Sequence, residues 1–225
     1  MIVAAIQPGY MPWVGFFDLM KRCDLFVVAD NLQYTKQDWR SRNRIRSPEG
    51  FAYISVPVKR AHRGTPINKI EINNNHPWQT QHMNVLKYNY RNAPFWPKYE
   101  PVLQEMFDRD WIRLLDLDLW CMEFFANEFK INTPTMLLSD LPVTFGRDKT
   151  DSLIALTRAV GADTFLEGAS GKQFVDISKF DEAGLSIEFQ EYVCRPYRQQ
   201  FEPFMSHLSA LDLLLNEGPA GTTLI

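Results

Sequence analysis

Cysteine, histidine and long apolar runs are what this chain of 225 residues has least of. Its three cysteines (Cys23, Cys121, Cys194) are odd in number, widely spaced and without a C-x-x-C pair. That excludes a zinc ribbon and a disulfide framework, so all three read as reduced core thiols. Of the four histidines, His76 and His82 stand six apart rather than four, which excludes a metal pair on one helix face. No Ser-His-Asp or Cys-His spacing can be read, and no metal site is expected. No apolar run approaches the roughly 18–20 residues that cross a bilayer, and no basic leader or cleavage site opens the chain. The expectation is a cytoplasmic protein without a membrane span. A surplus of one charge is also missing. With 24 Lys and Arg against 27 Asp and Glu, the formal charge of -3 argues against a nucleic-acid partner.

Aromatic residues, by contrast, are plentiful at 13%, with sixteen Phe and six Trp. Hydrophobic content of 45% and charged content of 23% are ordinary for a globular domain. The length suits one α/β domain with room for a helical insertion.

The order of segments supports that reading. Ile2 to Ile6 is an apolar run that breaks into the turn "QPGYMPW", an amphipathic stretch follows from Trp13 to Arg22, and a second apolar run spans Leu25 to Val28. This is a strand–turn–helix–strand unit, and such units bind ligands in the turn after the first strand. A polar cationic loop then carries Lys36, Arg40, Arg42, Arg44 and Arg46. Phe51 to Lys59 reads as a third strand and Ile67 to Ile72 as a short fourth. Residues 76–130 carry helical periodicity, with Asn75 as N-cap and breaks near Pro94 and Asp108. The last third returns to α/β, with a strand within Thr133–Leu141 and strands at Asp163–Gly168 and Leu185–Tyr192. A helix at Asp148–Ala162 has Thr150 or Asp151 near its N-terminus and Gly161 as its stop, and a closing helix spans Ser209–Gly218. The fold class expected is Rossmann-like, a mainly parallel sheet in a single domain 1–225, with 76–130 inserted as helices.

Three places could carry chemistry. The opening turn has two prolines, which pre-set a rigid loop, and two rings, Tyr10 and Trp13, which offer a flat surface to a base or sugar. Its layout resembles the nucleotidyltransferases, with Trp13-Val14-Gly15-Phe16 where those enzymes have His-x-Gly-His. Gly15 is retained, as close helix–strand packing would require, and both histidines are replaced. The second place is "EGASGK", where Ser170, Gly171 and Lys172 follow a strand end and could hold an anion. The third is the cationic run, whose "RSRNRI" places Arg40, Asn43 and Arg44 within reach of phosphate.

Taken together, "QPGYMPWVGFF", "CDLFVVADNLQYTKQDWRSRNRI", "ISVPVK", "LEGASGKQFVD", "LSIEFQEY" and "LSALDLLLNEG" resemble the WbqC-like family over nearly the whole chain. Members often carry His before the Gln-Pro pair, where this chain has Ile6. Glu167, Lys172, Gln173 and Phe174 replace Ser, Arg, Asp and Tyr of the later motif, so only the positive charge at 172 is kept. The resemblance implies a role in bacterial surface glycans such as O-antigen lipopolysaccharide.

Within that setting the chain reads as a transferase that moves an acyl or aminoacyl group onto the amine of a nucleotide-linked amino sugar. The donor would be a nucleotide or an acyl thioester. Asp30 and Gln7 are the expected catalytic residues, Asp30 as base because it ends a strand beside the opening turn. Tyr10 and Trp13 would meet the substrate, while Arg40, Asn43, Arg44, Ser170, Gly171 and Lys172 would hold its phosphates. Two alternatives stay open. One is a nucleotidyltransferase-like activating enzyme that uses Mg²⁺, and the other a non-catalytic nucleotide-sugar-binding scaffold.

Overall fold

A computed structural model describes residues 1–146 and 148–225. Strand β1 (Ile2–Ile6) leads through the Gly9 turn into helix α1 (Val14–Lys21) and strand β2 (Leu25–Val28). An antiparallel hairpin, β3 (Arg42–Ser47) and β4 (Gly50–Ser55), follows the long loop after β2. Helices α2 (Trp78–Tyr90), α3 (Trp96–Asp108) and α4 (Leu114–Glu128) come next. The chain then alternates β5 (Thr135–Leu137), α5 (Lys149–Ala159), β6 (Thr164–Glu167), α6 (Ile177–Glu182) and β7 (Ser186–Phe189). A strap without regular structure, residues 190–209, leads to the last helix, α7 (Ala210–Glu217).

Five strands form one all-parallel sheet in the order β5-β2-β1-β6-β7, a Rossmann-like α/β arrangement. The strands expected at Ile2, Leu25 and Thr164 lie side by side at its centre. Period-two alternation divides their side chains between two cores. Ala4, Phe26, Val28 and Leu166 join α1, the helices of residues 78–128 and α7 in the larger one. Val3, Val27, Ala29 and Phe165 face the other way, onto Ile154 of α5 and Phe180 of α6. Helices on both faces explain why these parallel strands are almost uniformly apolar.

The second quarter of the chain departs from expectation. The cationic segment is not all loop, because Arg42–Ser47 is a strand paired with Gly50–Ser55 and separate from the main sheet. Its sequence alternates: Asn43 and Ile45 turn inward and are buried, while Arg42 and Arg44 stay partly accessible. The third strand stops at Ser55, not Lys59. Ile67–Lys69 is a 3-10 turn, and what remains of the fourth strand is two isolated bridges, Ile72 to Val58 and Glu71 to Arg113. Helix α2 begins after Pro77 rather than at an Asn75 cap. Helix α5 is capped by Asp148, whose carboxylate accepts from Asp151 N at 2.9 Å, and α7 by Ser209.

Candidate functional site

The turn after β1 is braced from both sides. Gln7 donates to the Gln33 carbonyl at 3.0 Å, and its Oε1 accepts from Arg40 Nε at 2.8 Å. Buried Asn43 donates to the Met11 carbonyl at 2.8 Å and the Tyr10 carbonyl at 3.3 Å, while its Oδ1 accepts from Arg44 N at 2.9 Å. Two carbonyls of this turn and one of the loop after β2 are thereby satisfied by side chains, as buried backbone requires. Gly9 is needed for close approach, since a Cβ there would lie 2.6 Å from the Trp39 carbonyl oxygen. Gly15 has a different reason from the helix–strand packing expected of it. The Trp13 indole lies across it and occupies the space a Cβ would take.

Between this turn, β3 and the strap is a cleft of about 260 Å³ at the carboxyl end of β1. Gln7, Trp13, Trp39, Arg40, Arg44 and His207 line it, with Asn43 and the Pro12 ring behind. Trp13 is held between Tyr192, edge-on at 5.6 Å, and His207, stacked at 5.2 Å with 14° between planes. The Arg44 guanidinium lies 5.2 Å from the Trp39 ring and 5.1 Å from Phe51, and its Nη2 donates to the His207 carbonyl at 3.1 Å. Its Nε is enclosed without an acceptor among the described residues. Burial lowers the Arg40 guanidinium from its ordinary pKa, opposed by Asp38 and Asp118. Among the described residues no carboxylate lines the cleft, and Asp38 stands 4.0 Å from Arg40 Nη2 at its edge. Two guanidinium groups, an imidazole and two indoles suit a phosphate-bearing ligand with a ring to stack.

Beneath Arg40, Asp118 of α4 is fully buried, and neither of its oxygens has a hydrogen-bond partner among the described residues. Burial pushes its pKa well above the carboxylate range, with Arg40 pulling weakly the other way. Burial thus favours its neutral form.

Several expected site residues stand elsewhere. Tyr10 is fully buried, and its hydroxyl meets His82 Nδ1 at 2.9 Å in the helical layer, so its ring packs the turn down and offers no ligand surface. Asp30 is 1% exposed and both its oxygens are engaged, Oδ1 by Ser139 N at 2.9 Å and Oδ2 by Asn68 Nδ2 at 3.1 Å. It ties β2 to two loops. Ser170, Gly171 and Lys172 lie in a 3-10 turn after β6, outside the cleft lining. Lys172 forms an exposed ion pair with Glu191 at 3.0 Å, and Gly171 leaves room for the Glu167 side chain. Among the described residues no group of His, Cys, Asp and Glu converges as metal ligands would. None of the described helices is long and apolar enough to cross a membrane.

Trp39 and His207 were not foreseen. Trp39 stood within the cationic run that was singled out, and its ring next to Arg40 was the available signal. His207 had none. It is brought to the cleft from the far end of the chain because Ser209 N bonds the Arg44 carbonyl at 2.9 Å and Ala210 N the Pro12 carbonyl at 2.8 Å.

Comparison with known proteins places this geometry. A relative from Mycobacterium tuberculosis (strain ATCC 25618 / H37Rv), the uncharacterized protein Rv1507c, is 31% identical over 218 residues, covering 96% of this chain and 94% of its own. No solved structure matches. The WbqC-like protein family matches from residue 7 to residue 223, which takes in the opening turn, the hairpin, the strap and every residue lining the cleft but Ile6. The chain belongs to the WbqC-like protein family.

Proposed function

We propose that the cleft binds the diphosphate of a nucleotide-linked amino sugar, and that the protein transfers an acyl or aminoacyl group to the sugar's amine in bacterial surface-glycan synthesis. The observation that carries this reading is the set of Arg40, Arg44, His207, Trp13 and Trp39 at the carboxyl end of β1, with the Asp38 carboxylate 4.0 Å from Arg40 and outside the lining. Ligands of open parallel sheets sit at that end. Arg40 and Arg44 hold phosphate oxygens, and the exposed Trp39 stacks on a ring. With both Asp30 oxygens engaged, the base is His207, the imidazole in the cleft lining. It takes a proton from the attacking amine as nitrogen bonds to the acyl carbon and the donor's thiolate leaves. Gln7 keeps Arg40 oriented through its 2.8 Å bond.

The test is isothermal titration with a UDP-linked amino sugar, then mass spectrometry with an acyl thioester added. Arg44→Ala should weaken binding by roughly ten- to a hundredfold, the loss of one charge-assisted hydrogen bond. His207→Asn should leave binding nearly intact and remove product. Wild-type protein that binds the sugar nucleotide yet forms no product with any donor would make the cleft a carrier site. Absence of binding would end the reading altogether.

A further inference from the structure

A second cationic depression lies beside the hairpin, past its Arg42 end from the cleft, and shares no lining residue with it. Lys36, Arg42, Lys59 and Arg60 line it, together with the polar side chains of Tyr34, Gln37, Ser41 and Ser55, and no carboxylate. It continues into a neighbouring depression that shares Lys59 and Arg60 and adds His62, Lys69 and one acid, Glu71. Glu71 is engaged by Lys59 at 2.6 Å. Lys36, Arg42 and Arg60 take part in no ion pair among the described residues. Arg42 is the built part of the groove. Its guanidinium lies 4.5 Å from the Tyr53 ring centroid, and its Nε is enclosed with no acceptor. In a chain of net charge -3, like charges gathered this closely repel one another unless an anion lies between them.

We propose that this groove is a second anion site, for a ligand with two linked phosphates, distinct from the cleft. The arrangement favours a diphosphate over a single phosphate because the cations are spread along two joined depressions. Arg42 offers one phosphate a planar fork of donors. Lys36 and Arg60 serve its neighbour, and the exposed Ser55 hydroxyl lies beside them.

Inorganic pyrophosphate titrated into nitrogen-15-labelled protein tests this by position. Saturable amide shifts at Lys36, Ser41 and Arg60 are expected, absent with sodium chloride of equal ionic strength. Lys36→Gln with Arg60→Gln, both at exposed positions, should weaken the midpoint by about tenfold or more. Arg44→Ala, at a residue that lines the cleft and not this groove, should leave these shifts in place. The source of the phosphates is read separately, by sedimentation with phosphatidylcholine vesicles containing phosphatidic acid. Co-sedimentation that pyrophosphate reverses assigns a lipid-linked ligand, and pyrophosphate binding without co-sedimentation assigns a free one. If those amides do not move, move equally with chloride, or titrate unchanged in the double variant, the groove is no anion site. The cleft reading would be untouched by that result.

Discussion

Asp118 and His82 are two titratable side chains that the helices of residues 78–128 hold uncharged, one by keeping a proton and the other by refusing it. The Asp118 acid is buried without a partner and its pKa is raised, so folding binds a proton that the unfolded chain has released. Such a group contributes stability that is present below its unfolded value and lost as pH rises through the folded one. At neutral pH it is a cost. Asp118→Asn, nearly isosteric and never charged, should therefore raise the melting temperature at pH 7 by several degrees, as about 1–2 kcal/mol does in a domain of this size. The gain should vanish near pH 4, and calorimetry at the two pH values checks both halves. An unchanged melting temperature at pH 7 would mean that a partner satisfies the carboxyl.

At the scale of elements, the strap is fastened by one buried cation. Arg46 of β3 is 1% exposed, and its guanidinium donates to four carbonyls, those of Ser47 and Gly50 in the hairpin turn and of Phe201 and Pro203 in the strap. Nearby, Asp212 of α7 accepts from Tyr90, Tyr197 and Gln199 at 2.7, 2.7 and 2.9 Å, which pins the same strap to two helices. A lysine offers a single point of donors in place of that fork. Arg46→Lys should cost on the order of 3 kcal/mol in chemical denaturation, the scale of leaving buried polar groups unpaired. It should also weaken ligand binding in the cleft, because the strap carries His207. A change under about 1 kcal/mol would put the fastening elsewhere. These elements also show what was legible beforehand. The parallel strands were plain because both their faces are buried and their sequences are runs of apolar residues. The β3 strand was hidden because charge suggested a loop, although Arg42-Asn43-Arg44-Ile45 alternates strictly. What sequence could not reveal was the strap. A segment without periodicity gave no sign that it delivers His207 to the opening turn, and Tyr10 read as a ligand surface because its burial depends on helix α2, more than sixty residues on.

Across the whole molecule, acid stability is a balance of these groups. Burial lowers the His82 pKa to about 4 from an ordinary 6.5. Between those values the unfolded chain takes up a proton that the folded one refuses, so stability present above pH 6.5 is lost as pH falls toward 4. The loss amounts to about 3 kcal/mol at 1.36 kcal/mol per pKa unit. Asp118 acts with the opposite sign, so on acidification the wild type should lose less stability than Asp118→Asn. His82→Gln should gain stability on acidification relative to wild type, and Asp118→Asn should lose it. Denaturation series at pH 4.5, 5.5 and 6.5 decide this, and parallel profiles for all three proteins would refute it.

The register of the sheet has a kinetic consequence. Ile2 pairs with Thr164 across most of the length of the chain, whereas α2, α3 and α4 are sequential neighbours in one stretch. Contacts between distant segments require the closure of a long loop, which is entropically costly and slow. The helical layer should therefore condense first, with β6 docking late against β1. Leu166→Ala, which empties a core position on β6, would then speed unfolding while leaving the folding rate nearly unchanged. Stopped-flow rates in denaturant measure both arms. A slowed folding arm would place the joining of β1 and β6 in the rate-limiting step.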